Sequence, residues 1–168
     1  MQQTSAAVLR LYITRLRTLP GVKYVFPFTM NTRDGQLNYH LVFASQHYLG
    51  LEKMKEAMRT VDKSGAYSFS DDFSSQTLLP FDFAAPADWA EKMANSLGNQ
   101  WRSYEEFRDF ALNETPFIHP KPMFEHLKSL ARIDIRWKGD APKRGFPEEK
   151  ISKVFVLPKQ QCNLQLGD

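Results

Sequence analysis

The chain has 168 residues, of which 42% are hydrophobic, 13% aromatic and 24% charged, enough to bury one core or two small ones and unlike a disordered segment. Its 22 Lys and Arg against 19 Asp and Glu give a net charge of +3, too small by itself to announce a nucleic-acid binder. Ten Pro and eight Gly are spread without a period, which excludes collagen-like and Pro-rich low-complexity classes. The longest apolar runs, such as Val154 to Leu157, fall far below the roughly 18 residues of a membrane span, so no membrane partner is expected. The Met-Gln-Gln-Thr-Ser start lacks a basic segment followed by an apolar one, so a cytoplasmic location is expected. A lone Cys162 forbids an intrachain disulfide and a Cys-based zinc site.

From Ala6 to Leu19 the apolar positions Val8, Leu11, Tyr12, Leu16 and Leu19 recur at helical spacing, and Pro20-Gly21 ends the helix. Val22 to Met30 and Leu37 to Ala44 are rich in β-branched and aromatic residues, and Asn31 to Gln36 carries the turn chemistry of a hairpin. Pro27 cannot donate to a ladder and suggests an edge or a bulge. A second helix over about Gly50 to Val61 places Leu51, Met54, Met58 and Val61 on one side, with Glu52, Lys53, Lys55, Glu56 and Arg59 on the other. Ser70 to Asp88 holds Asp71, Asp72, Asp82 and Asp88 and no Lys or Arg, which reads as a linker.

Beyond it, Asp88 is the expected cap of a helix with Trp89, Met93 and Leu97 that closes near Gly98. Ser103-Tyr104-Glu105-Glu106 is a capping box opening a helix with Phe107, Phe110, Ala111 and Leu112 that stops at Thr115-Pro116. Lys121 to Ala131 is a third helix, expected to bury Met123, Phe124, Leu127, Leu130 and Ala131. Two strands follow: Ile133, Ile135 and Trp137 alternate with Asp134 and Arg136, and Ile151 to Leu157 is β-branched and aromatic.

The charge is unevenly placed. Between His119 and Lys153 nine basic residues face five acidic ones, a local +4, while the remaining 13 basic and 14 acidic residues nearly cancel. Helix, short turn, helix and then a hairpin with a Gly/Pro-rich basic tip is the order of a winged helix-turn-helix. The helix after the turn fits the major groove and the basic tip attracts phosphates. Lys121, His126, Lys128 and Arg132 on that helix and Lys138, Lys143 and Arg144 on the tip are the candidate nucleic-acid-binding residues, for DNA or RNA. The plain alternative is a small packed domain with a solvated loop, because fold does not fix function.

Tyr39-His40-Leu41-Val42-Phe43-Ala44-Ser45 followed by His47, Gly50, Met54-Lys55-Glu56-Ala57-Met58 and Val61-Asp62-Lys63-Ser64-Gly65 resembles a hallmark of the three-Cys-motif partner (TcmP) family of predicted methyltransferases. Phe69-Ser70-Asp71 continues the resemblance, and Glu114-Thr115-Pro116-Phe117 and Lys143-Arg144-Gly145-Phe146-Pro147 look like the winged helix appended to that family's catalytic domain. The resemblance covers nearly the whole chain and the C-terminal part of the family. It implies an α+β protein with an N-terminal α-β-β-α remnant of a Rossmann-like methyltransferase sheet at 1–68, an acidic linker at 69–88, a winged helix at 89–158 and a tail at 159–168.

The half that would hold S-adenosylmethionine is missing from this pattern, and no GxGxxG-like run occurs. No cofactor-binding or catalytic residue is therefore carried over, and the chain alone is expected not to be an enzyme; an enzymatic reading requires the missing half to be supplied in trans. The four histidines His40, His47, His119 and His126 have no metal-ligand spacing, Asp71-Asp72 has no acid/base partner, and no GxSxG elbow appears. Catalytic, cofactor and metal sites are expected to be absent. Binding is the expected role: nucleic acid through the winged helix, or alternatively a protein-interaction or oligomerisation module that completes or positions a methyltransferase. The Val22–Ala44 hairpin offers more apolar surface than two helices easily cover, so self-association or a protein partner is expected there.

Overall fold

A computed structural model describes residues 2–32, 36–61, 68–70 and 85–159; the acidic stretch at Asp71, Asp72 and Asp82 and the tail with Cys162 lie outside the described residues. The fold is mixed α+β, with two small sheets and, among the described residues, five α-helices. By its contacts the chain divides into two compact units, residues 1–85 with 108–119, and residues 86–107 with 120–168. The division therefore cuts one helix between Phe107 and Arg108, whereas the sequence places all of 89–158 together.

The first unit opens with helix α1 (Gln2–Arg17), followed by strands β1 (Tyr24–Asn31) and β2 (Leu37–Ser45), helix α2 (Tyr48–Val61) and the short strand β3 (Ser68–Ser70). β1 and β2 form the expected antiparallel hairpin, with Phe26 opposite Phe43 and Phe28 opposite Leu41. β3 pairs parallel to β1 from Thr29 to Asn31, so the strand order is β2-β1-β3. Pro27 is thus in the middle strand and in regular register with Val42, and the one irregularity falls at Met30/Asn31. The proline is tolerated because β3 reaches β1 only beyond it, leaving that flank of Pro27 without a ladder partner among the described residues.

Tyr24, Leu51 and Leu112 make the core of this unit, with Phe26, Phe43 and Tyr48 packed against it. The C-terminal part of helix α4 (Tyr104–Glu114) closes it: Asn113 accepts the Val25 N–H at 2.9 Å and Asp109 accepts the Tyr24 hydroxyl at 2.7 Å. Two expectations fail here. Val8, Leu11, Tyr12 and Leu19 of the expected α1 stripe are exposed, and the half-buried positions are Leu9, Ile13 and Leu16. On α2 the buried pair is Leu51 and Lys55, one turn apart, while Val61 is exposed. Lys55, expected on the solvated side, is fully buried.

The second unit contains helix α3 (Pro86–Leu97), the start of α4, helix α5 (Lys121–Ser129) and strands β4 (Ile133–Trp137) and β5 (Ile151–Val156). α3 begins at Pro86, so Asp88 lies in its first turn, where a carboxylate suits the positive helix end, rather than at the cap. The Glu106 half of the capping box is present, its carboxylate accepting the Ser103 N–H at 2.9 Å. Burial alone would raise the Glu106 pKa, but Arg102 and that N–H together hold it below the usual range. β4 and β5 pair antiparallel, and Arg102 bridges to Val154 on β5's other side.

Phe124 of α5 organises this core, meeting Tyr104, Phe107 and Phe146 edge-on at 6.2, 5.4 and 5.6 Å between ring centroids. Ala90, Met93, Leu127, Val154 and Val156 fill the rest. α5 ends at Ser129, two residues earlier than the sequence suggests. Ala131 takes a left-handed φ of 54°, the Arg132 N–H returns to the Leu127 carbonyl, and Leu130 and Ala131 are consequently exposed rather than buried.

Candidate nucleic-acid interface

At 100° per residue, Lys121, Glu125 and Lys128 share about 60° of the α5 surface, opposite the arc of Met123 and Leu127. All three are exposed. The loop from Lys138 to Pro147 returns against this stripe because Phe146 is buried on Phe124. Lys128 places its ammonium 5.5 Å from the centre of the Phe146 ring, and the Lys121 Nζ lies 3.9 Å from the Cβ position that Gly145 leaves empty. Gly145 sits at φ +71°, a conformation that L side chains rarely adopt, and it turns the loop so that Phe146 points in while Lys143 and Arg144 stay exposed.

Lys121 and Lys128 therefore stand beside the anchored base of the loop whose preceding residues are Lys143 and Arg144. Apart from a 3.9 Å contact between Lys121 and Glu125, both exposed, no ion pair neutralises these cations among the described residues. Such a surface pair is worth little. Lys138 is exposed at the loop's start, where its N–H donates to the Lys150 carbonyl at 2.7 Å.

The remaining two candidates are placed elsewhere. His126 lies about 140° around α5 from Lys121. It lines a cavity of about 530 Å³ beside Glu91, Leu130 and Arg132. Arg132 lies just beyond α5 and is committed within the unit: its guanidinium grips both carboxylate oxygens of Glu91, and its Nε donates to the Leu157 carbonyl at 2.9 Å. With 15% of its side chain exposed, Arg132 is a clamp between α3 and the end of β5 rather than a phosphate contact. It holds the Glu91 carboxyl below its usual pKa. From sequence alone Arg132 counted as one more basic residue of the segment, because its partner lies 41 positions away.

The first unit holds a cation of a different kind. Lys55 donates to the carbonyls of Ala111, Thr115 and Phe117 at 3.2, 2.5 and 3.1 Å and lies 4.0 Å over the Phe26 ring. Burial pushes its pKa well below the lysine range, with the Arg59 charge acting the same way. A buried lysine of lowered pKa is a signature of amine nucleophiles. Here, however, the nitrogen is spent on carbonyls at and just past the end of α4, which it caps. Among the described residues no three His, Cys, Asp or Glu side chains come together to hold a metal, and no helix is long and apolar enough to cross a membrane. Comparison with protein-family models, curated proteins and solved structures found no match to this chain.

Proposed function

We propose that the second unit is a winged helix that binds nucleic acid, with α5 as the groove-facing helix and the 138–147 loop as the wing. The order α3, bridging strand residue Arg102, α4, α5, β4, loop, β5 supports the winged-helix reading, since Arg102 supplies the third strand position beside β5. The observation that carries the binding role is the placement of exposed Lys121 and Lys128 around the Gly145-Phe146 anchor, next to Lys143 and Arg144. Phosphates are the partners that four exposed cations on an anchored edge suit best, Lys121 alone among them having a carboxylate, Glu125, within 4 Å among the described residues. The chain acts by binding rather than catalysis in this reading, and any methyltransferase-like character of the first unit rests on the sequence resemblance to the three-Cys-motif partner family.

Titration of the purified chain against labelled duplex DNA, single-stranded DNA and RNA tests this. Binding that weakens steeply with salt and is lost in K143E/R144E is the expected result. Equal affinity of wild type and variant at low salt would remove the wing from the interface.

A second reading has its own observation. β2 is an edge strand with Leu37, Tyr39 and Leu41 exposed, and α1 exposes Val8, Leu11 and Tyr12. An open apolar edge favours pairing with another chain. We propose self-association through this unit. Sedimentation should give more than a monomer mass, reduced by Y39E/L41E, and a monomer at all concentrations would contradict it.

A further inference from the structure

The outward face of the β4–β5 ribbon carries a second set of cations. Arg136 stands directly opposite Lys153 in the antiparallel register. One row further on, Lys138 is joined to Lys150 through a backbone hydrogen bond of 2.7 Å. All four side chains are exposed, and none has a carboxylate partner among the described residues. The register shift between Arg136 and Trp137 makes this possible. It admits Ser152 as an extra residue in β5, so that Lys153 faces outward with Arg136 while Ile151 turns into the core.

Like charges directly opposed on an antiparallel pair destabilise it. This ribbon carries one such pair, Arg136 and Lys153, and just beyond its strands the backbone-bonded Lys138 and Lys150 bring two more cations together. The acid on the same strand, Asp134, turns back to accept its neighbour Ile135's N–H at 2.8 Å instead of answering Arg136. Arg136 is meanwhile held in place, its guanidinium 4.1 Å over the Trp101 ring, which itself leans on Phe155 at 5.5 Å. A cation fixed by a ring and faced by a second cation is a positioned donor awaiting an anion.

We propose that Arg136, Lys138, Lys150 and Lys153 form a track for a nucleic-acid backbone along the outer face of β4–β5, continuing from the wing. The proposal rests on the nucleic-acid reading of the winged helix and adds Arg136, Lys150 and Lys153 to it. The ligand chemistry is a row of phosphodiesters, common to duplex and single strand.

The test measures affinity for a short labelled duplex and for its single strand at low and physiological salt, using wild type, R136E/K153E, R136Q/K153Q and K143E/R144E. R136E/K153E is expected to bind at least about tenfold more weakly, with a salt slope shallower by about 1.8 on the duplex and about 1.4 on the single strand for the two lost phosphate contacts. R136Q/K153Q should move the same way by less. K153E alone should raise the unfolding temperature by about 1 to 4 °C, because it replaces repulsion with a cross-strand pair, while weakening binding.

If R136E/K153E matches wild type in affinity and slope while K143E/R144E fails to bind, the track is wrong and the wing reading stands. If R136E/K153E loses binding and K143E/R144E does not, the track stands and the wing reading falls. Wild type that binds neither probe at low salt overturns both. Losses on one probe only identify whether duplex or single strand lies along the track.

Discussion

Lys55 and Lys143 carry the same side chain in opposite circumstances. Lys55 is sealed in the first unit, its three N–H groups matched to three backbone carbonyls and its charge set over a ring. Lys143 stands exposed on an anchored loop, with no ion-pair partner among the described residues. A cation whose donors are satisfied internally is architecture, because nothing remains for a ligand to gain. A cation left unsatisfied beside others of the same sign has binding free energy to release. Arg132 marks the boundary between the two cases: it belongs to the basic segment by sequence and to the architecture by its grip on Glu91.

The largest effect expected from that contrast is in the first unit. K55A removes a buried stem and leaves carbonyls without their donor, at about 3 to 5 kcal/mol. K55M restores the packing, so the remaining cost of about 1 to 3 kcal/mol belongs to the carbonyls. Urea unfolding of the two variants separates the contributions. A K143E/R144E control should stay within about 0.5 kcal/mol of wild type, since both side chains are exposed.

The same position sets a pH signature. The Lys55 pKa is depressed from its ordinary 10.5, so between the folded value and 10.5 the unfolded chain keeps a proton that the folded chain releases. Stability from this position therefore rises with pH through that window. The difference between wild type and K55M, measured by urea unfolding, should grow in favour of wild type as pH rises from the folded value towards 10.5. A constant difference would show that Lys55 stays fully charged when folded.

In the second unit the clamp comes next. R132A should cost about 2 kcal/mol, through loss of the two-pronged Glu91 pair and the Leu157 hydrogen bond. Nucleic-acid affinity of the folded protein should be unchanged, in contrast to K121E/K128E. Glu91 has a lowered folded pKa, so its contribution is present above about 4.5 and is lost as pH falls through the folded value. The wild-type advantage over E91Q should vanish on acidification. The smallest effect expected is a gain: A131G relieves the left-handed Ala131 and should add about 0.5 to 1 kcal/mol.

The hairpin, the α5 register and the alternation in β4 were legible from sequence because each is set by periodicity within a few residues. The end of α5 was not, since the turn at Ala131 uses a residue with no left-handed signature. Lys55 reads as solvent-facing because every helix pattern puts lysine outside, and the carbonyls that hold it come from 56 to 62 positions away. The β1–β3 pairing is likewise a long-range event with no local signal. Of the candidate interface, Lys121, Lys128, Lys143 and Arg144 were legible as exposed basic positions. Arg136 and Lys138, two positions apart, could have been grouped from sequence, but opposing Arg136 to Lys153 requires the register shift at Arg136/Trp137, and the Lys138–Lys150 backbone bond has no local signal.

The salt dependence of duplex binding tests the central claim most directly. Four phosphate contacts from Lys121, Lys128, Lys143 and Arg144 predict a slope of log affinity against log salt of at least about −3.6, reduced by about 1.8 in K143E/R144E. A flat salt dependence, or no binding at low salt, would contradict the account and leave the basic face of α5 and its loop without a nucleic-acid role.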